Sequence, residues 1–276
     1  YAGWSFVTVI SSMMSTQGIN ILLNMQFGSV VNAARGVASQ ISSQAGAFSK
    51  NFTMALNPQI TKSYAAGDYE HSNTLVYQGA KYSYLLFLMI ALPCMLEIDF
   101  VLKVWLKEVP EYCGYFVQLN MLYTLMDVLL GTSLTLNNSI GKIRNYQILI
   151  STTQFLIVIF SYIIMKVTNN PVWTVAVTNI IYLVIFIPRI QMNKKYTGIS
   201  FSIFCKQVLL PVIFVTFAAW LPSYAIHRIM SYGWSRLFVV TGVSIASLAI
   251  FAYVFALTTS ERNSVKKFIF NRIKAS

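Results

Sequence analysis

Charge is what this chain has least of. Only 10% of its 276 residues are Asp, Glu, Lys or Arg, 56% are hydrophobic, and the mean hydropathy is +0.61. A soluble domain carries about 25% charged residues, so the composition excludes a soluble globule and predicts an integral membrane protein. Acids are scarcer still: eight Asp and Glu face twenty Lys and Arg, a formal net charge of +12. The basic residues are scattered between apolar segments and form no patch, which argues against a nucleic-acid partner. Cys94, Cys113 and Cys205 are an odd set without CxxC spacing and read as small apolar packing residues. His71 and His227 stand alone, so no metal site is expected. HExxH, GxSxG, Walker and glycine-rich phosphate motifs are missing. Neither a cofactor nor an enzymatic activity is expected. The first residues, Tyr1 to Phe6 (YAGWSF), have no charged n-region and no AxA-like cleavage site, so they are not a signal peptide. The expectation is the later part of a longer protein.

What the chain does have is a series of apolar segments, and these predict an all-α integral membrane fold of about eight transmembrane helices. The spans are about Trp4 to Met25, Ser29 to Tyr64, Lys81 to Leu96, Tyr115 to Ile140, Gln147 to Met165, Val172 to Ile190, Val208 to Ile226 and Leu237 to Leu257. The connection from Glu97 to Cys113 reads as polar, with Trp105 and Tyr112 suited to a headgroup interface. Residues 259–276 read as a basic amphipathic tail along the anionic inner leaflet. Alternate loops plus the tail, with Lys81 and Arg189 at the span edges counted among them, hold thirteen Lys and Arg, the other loops five, and the remaining two lie within a span. The positive-inside rule then puts the first span's start and the C-terminus in the cytoplasm.

The second span is the unusual one. Arg35, Ser39, Ser42, Gly46, Ser49, Lys50, Thr53 and Asn57 recur at three- and four-residue steps and line one helix face. A polar, cationic stripe at membrane depth cannot face lipid and must face other helices or a water-filled cavity. Arg35 either snorkels to the headgroups or, with Asn32, Ser39 and Ser42 beside it, faces the bundle interior. There a guanidinium holds a phosphate or carboxylate bidentately. Lys50, about 22 Å further along the helix, either pairs or snorkels, or gives an anionic headgroup a second handhold. In the first span Ser12, Thr16, Asn20 and Asn24 form a polar face of their own. Asp127, near the middle of the fourth span, pairs with Lys50 or Arg35, titrates as a proton- or sodium-coupling site, or is solvated at a helix end. Asn57 and Pro58 predict a bend or hinge in the second span.

The runs QGINILLNMQFGSVVNAARGVASQI (Gln17 to Ile41) and NFTMALNPQITKSYAAGD (Asn51 to Asp68) closely resemble bacterial polysaccharide flippases. These are the O-antigen or capsule repeat-unit exporters of the multidrug/oligosaccharidyl-lipid/polysaccharide (MATE-like) superfamily. VNAARG and NPQITKSYAAGD are the most specific stretches. Pro110 to Gln147 looks similar, and the later spans match only in hydropathy. The resemblance implies two six-helix lobes around a cationic cavity, with residues 1–195 as the second lobe, 196–258 as an additional helix pair, and the first lobe outside this sequence. It implies a lipid-linked oligosaccharide (undecaprenyl diphosphate) substrate, passed from inner to outer leaflet by alternating access. It also implies residence in the bacterial cytoplasmic membrane, with polysaccharide polymerase or assembly machinery as a partner. The alternative is an ion-coupled multidrug or metabolite antiporter of the same superfamily, which would favour an acidic cavity.

Overall fold

The structure, a computed structural model, describes residues 2–192, 194–259, 261–263 and 267. Among the described residues there is no strand, and seven helices are long and apolar enough to cross a bilayer. This is the architecture of a multi-pass, all-α membrane protein. The helices are α1 (Ala2–Ala65), α2 (Tyr69–Leu96), the short α3 (Ile98–Leu106), α4 (Cys113–Ile140), α5 (Arg144–Thr168), α6 (Val172–Gln191), α7 (Phe201–Ile229) and α8 (Trp234–Ala256). Most of the expected tail at 259–276 lies outside the described residues.

The 64 residues of α1 are not one straight rod. Gly28 interrupts them with φ 82° and ψ 177°, a backbone region open essentially to glycine alone. The arms on either side fold back on each other. In a straight helix Asn20 and Arg35 would lie about 22 Å apart, yet Arg35 Nη1 donates to Asn20 Oδ1. The eight spans expected from the sequence count these two arms separately.

This fold-back makes a sharp prediction. Nothing lies within 4 Å of a Cβ built on Gly28, so Gly28→Ala meets no clash and its cost is backbone strain alone, about 1–3 kcal/mol. Gly36, also in open space but helical, should tolerate alanine or gain from it. Thermal unfolding of the two variants in detergent checks the contrast. Equal midpoints would mean that Gly28 is not the turn.

The two arms of α1 pack against α2, α4 and α5, and α6 closes the group against α4 and α5. Small residues set the close approaches: a Cβ on Gly79 of α2 would meet Thr132 Cγ2 of α4 at 2.5 Å. Hydroxyls stitch the same interfaces. Ser49 donates to the Ser83 carbonyl at 2.7 Å, Thr53 and Ser83 share a bond of 2.8 Å, and Thr132 donates to the Val76 carbonyl at 2.9 Å. In lipid, where apolar surface gives helices little reason to associate, small residues and interhelical hydrogen bonds carry the packing.

At Asn57 and Pro58 the backbone stays helical, Gly28 being the non-helical position of α1. Asn57 Oδ1 accepts a 2.7 Å hydrogen bond from Thr135 of α4, which holds the proline turn against its neighbour. Two expectations are corrected. The third span begins at Tyr69, not Lys81, because Leu75, Val76 and Ala80 are buried against α1 and α4. The connection after Glu97 contains α3, an amphipathic helix burying Ile98, Phe100 and Leu102. The Phe100 ring meets Tyr232 and Trp234, each at 5.2 Å, between α7 and α8.

The last two helices pack on each other and on α2, and charged pairs hold them at two points along it. Near the middle of α2, Lys81 Nζ lies 2.8 Å from Glu261 Oε2 and donates to the Ala256 carbonyl at 2.9 Å. Burial pushes the Glu261 carboxyl up, but hydrogen bonds from Lys81, the Thr258 N–H and Tyr82 outweigh it and hold it below its usual value. At the C-terminal end of α2, Glu97, its side chain fully buried, takes His227 Nδ1 and Arg236 Nη2, each at 2.8 Å. Between them the Tyr84 and Thr216 hydroxyls meet at 3.0 Å. Lys81 and Arg189, counted as loop cations in the sequence, are thus buried helix residues.

Candidate functional site

A cavity of about 300 Å³ opens between the α1 arms, α4, α5 and α6. Its α1 wall carries Ser12, Ser15 and Thr16 from the first arm and Arg35, Ser39, Ser42 and Lys50 from the second. Those two stretches face each other only because Gly28 turns the chain back. The mouth is open, since Ser12, Thr16, Ser39 and Lys50 are all exposed. Opposite stand Asn120, Tyr123, Thr124 and Asp127 of α4, Gln154 of α5, and Thr178 and Tyr182 of α6.

Arg35 is half-buried and held by Asn20. That bond fixes the guanidinium and leaves its other donors for a ligand. Lys50 is exposed, and among the described residues neither it, Arg35 nor Asp127 has an ion pair within 4 Å. Ser39 accepts from Asn120 Nδ2 at 3.5 Å, and the buried Ser42 hydroxyl has no hydrogen-bond partner among the described residues. The cavity therefore offers two cations, a row of hydroxyls and one carboxylate. Oxyanions are the groups such a set holds best.

Of the residues singled out in the sequence, Arg35, Lys50, Ser39, Ser42 and Asp127 come together around this space. Asn20 acts from just behind it through Arg35. Asn24 and Asn32 are not in the lining: each lies about one turn closer to Gly28, beyond the Asn20–Arg35 contact. Asn24 is exposed, and the Asn32 Oδ1 is buried without a hydrogen-bond partner among the described residues. Asn57 and Pro58 lie further along α1, outside the lining. Apart from Asp127 the far wall was missed, though its signal is there. Asn120, Tyr123, Thr124 and Asp127 follow an i, i+3, i+4, i+7 pattern, and Thr174, Thr178 and Tyr182 follow i, i+4, i+8.

Comparison with family models, curated proteins and solved structures finds no match to this chain. The class the fold defines is a multi-pass helical membrane protein with a polar, cationic cavity.

Proposed function

We propose that the chain is part of a transporter for a lipid-linked anion, and specifically of a polysaccharide flippase. In this reading it moves an undecaprenyl-diphosphate-linked oligosaccharide from the inner to the outer leaflet of the bacterial cytoplasmic membrane by alternating access. The observation that carries it is the open cavity with Arg35 and Lys50 on one wall, set among helices that are otherwise apolar. A diphosphate headgroup needs fixed cations at membrane depth, while its glycan needs hydroxyl and amide partners such as Ser12, Asn120 and Gln154. Large apolar side chains along α1, including Phe6, Met13, Met25 and Phe48, are exposed. They suit contact with lipid or with the other lobe that the family resemblance implies. Taking Lys81 and Arg189 out of the thirteen leaves eleven cations against five, which still favours a cytoplasmic C-terminus.

Deleting the full-length gene and quantifying lipid-linked oligosaccharide by mass spectrometry tests this. The expected result is accumulation of the lipid-linked repeat unit with a fall in surface polysaccharide. Unchanged lipid intermediates with retention of cationic dyes would sink it. That outcome supports the second reading, an ion-coupled antiporter, which Asp127 in the lining favours.

A further inference from the structure

Helix α7 has two unlike faces. Phe204, Val208, Val212, Val215 and Ala219, all fully buried, recur at three- and four-residue steps and form the seam that packs on the neighbouring helices, chiefly α2 and α8. Away from that seam, Leu210, Ile213, Phe214, Phe217, Ala218 and Leu221 line a groove of about 360 Å³. Apart from the half-buried Ala218, every one of these side chains is exposed. Ala218 is the smallest of them and lies one turn from both Phe214 and Leu221, so it forms the floor of a notch between larger groups.

The length of the groove limits what can fill it. Leu210 to Leu221 covers about 16 Å of helix, close to half of a hydrocarbon core about 30 Å thick. That suits one acyl chain of one leaflet and is too short for a partner helix that spans the bilayer. A cation stands at one end. Leu210 N–H bonds the Cys205 carbonyl across the π-helical turn Cys205–Leu209, so Lys206 comes nearly a full turn before Leu210 on the same face. Lys206 is exposed, α7 contains no Asp or Glu, and no ion pair reaches Lys206 among the described residues. Helical side chains lean toward the N-terminus, which carries the Lys206 ammonium away from the apolar lining and toward the headgroups. Beyond the other end, Arg228 lies two turns past Leu221 and sits over the Tyr224 ring at 6.0 Å.

We propose that this groove binds one anionic phospholipid, with its headgroup on Lys206 and an acyl chain along Leu210 to Leu221. The lipid belongs to the leaflet at which Lys206 lies. An apolar groove alone takes any acyl chain; the lysine selects among headgroups. A lysine near the membrane surface favours an anionic lipid over a zwitterionic one by about fivefold. The site is separate from the cavity, whose lining contains no residue of α7, and it stands apart from any choice of transported substrate.

The test uses the full-length protein in phosphatidylcholine vesicles. A trace of phosphatidylglycerol with a diazirine in its acyl chain is compared with a phosphatidylcholine probe of the same chain, and cross-linked peptides are read by mass spectrometry. The expected adducts fall on residues 210–221, with about fivefold more from the phosphatidylglycerol probe. Lys206→Gln should bring the two yields together, and Lys206→Arg should keep them apart. Ala218→Phe, which fills the floor of the groove, should lower both. Equal yields in the wild type, adducts elsewhere only, or a preference that survives Lys206→Gln overturns the proposal. Displacement of the probe by polyprenyl phosphate more readily than by unlabelled phosphatidylglycerol also overturns it, as does a dimer that Ala218→Phe separates, since each names another occupant. If Ala218→Phe does not fold, the exposed substitution Lys206→Gln decides alone.

Discussion

Replacing Arg35 and Lys50 together with glutamine is expected to abolish translocation while leaving the protein inserted and folded. Both side chains line the cavity and neither has an ion pair among the described residues, so removing them leaves no buried acid stranded. Hydrogen bonds to charged groups are worth about 1.5–3 kcal/mol each. Losing two of them weakens binding of a diphosphate headgroup by roughly a hundredfold or more. The two residues should not contribute equally. Arg35 is oriented by Asn20 and presents a fork suited to a phosphate, so Arg35→Lys should recover only part of the loss. Lys50, exposed and unpaired, acts as a point charge, and its removal alone should cost less and show the steeper salt dependence. The measurement is flipping of a fluorescent lipid-linked oligosaccharide in proteoliposomes containing the full-length protein. A wild-type rate in the double variant would remove the cationic cavity from the mechanism.

The parts of this site that were legible in the sequence are those that obey a local period. The stripe Arg35, Ser39, Ser42 and Lys50 is a helix face whatever surrounds it. Ser12 and Thr16 repeat the pattern in the first arm, and the gap between Met25 and Ser29 marks where Gly28 turns. What the period could not reveal is who meets whom. Asn20 orients Arg35 only because a glycine with φ 82° folds the helix back, and a hydropathy profile reads that position as a mere gap. Lys81 and Arg189 were counted with the loop cations because each sits at the edge of its expected span. Lys81, however, is matched by Glu261, 180 positions away, and Arg189 by Tyr146, 43 positions away. At Pro58 the backbone stays helical for a related reason. Proline removes one donor but leaves the neighbouring turns free to stay helical when a side-chain contact, here Thr135 to Asn57, holds them in place.

The same reasoning predicts the largest stability loss in the molecule, at Glu97. Its carboxylate is fully enclosed and shared by His227 and Arg236, so Glu97→Ala leaves an arginine whose side chain is 12% exposed without its anion. Breaking a buried pair by removing one partner typically costs about 3–5 kcal/mol. The damage should be local in its effect on function. Glu97 fastens α7 and α8 to the end of α2, and neither α7 nor α8 contributes a residue to the cavity lining. Glu97→Ala should therefore lower the unfolding midpoint and open the Tyr232–Trp234 connection to proteolysis, with ligand affinity near wild type in the fraction that remains folded. Arg236→Met should reproduce part of the loss, because the same bond is broken while Glu97 keeps His227. Glu97→Ala that unfolds at the wild-type temperature would mean that the two terminal helices are held by their apolar contacts alone. Affinity that falls in step with stability would mean that the terminal pair shapes the cavity through α2, which packs directly against the second wall formed by α4.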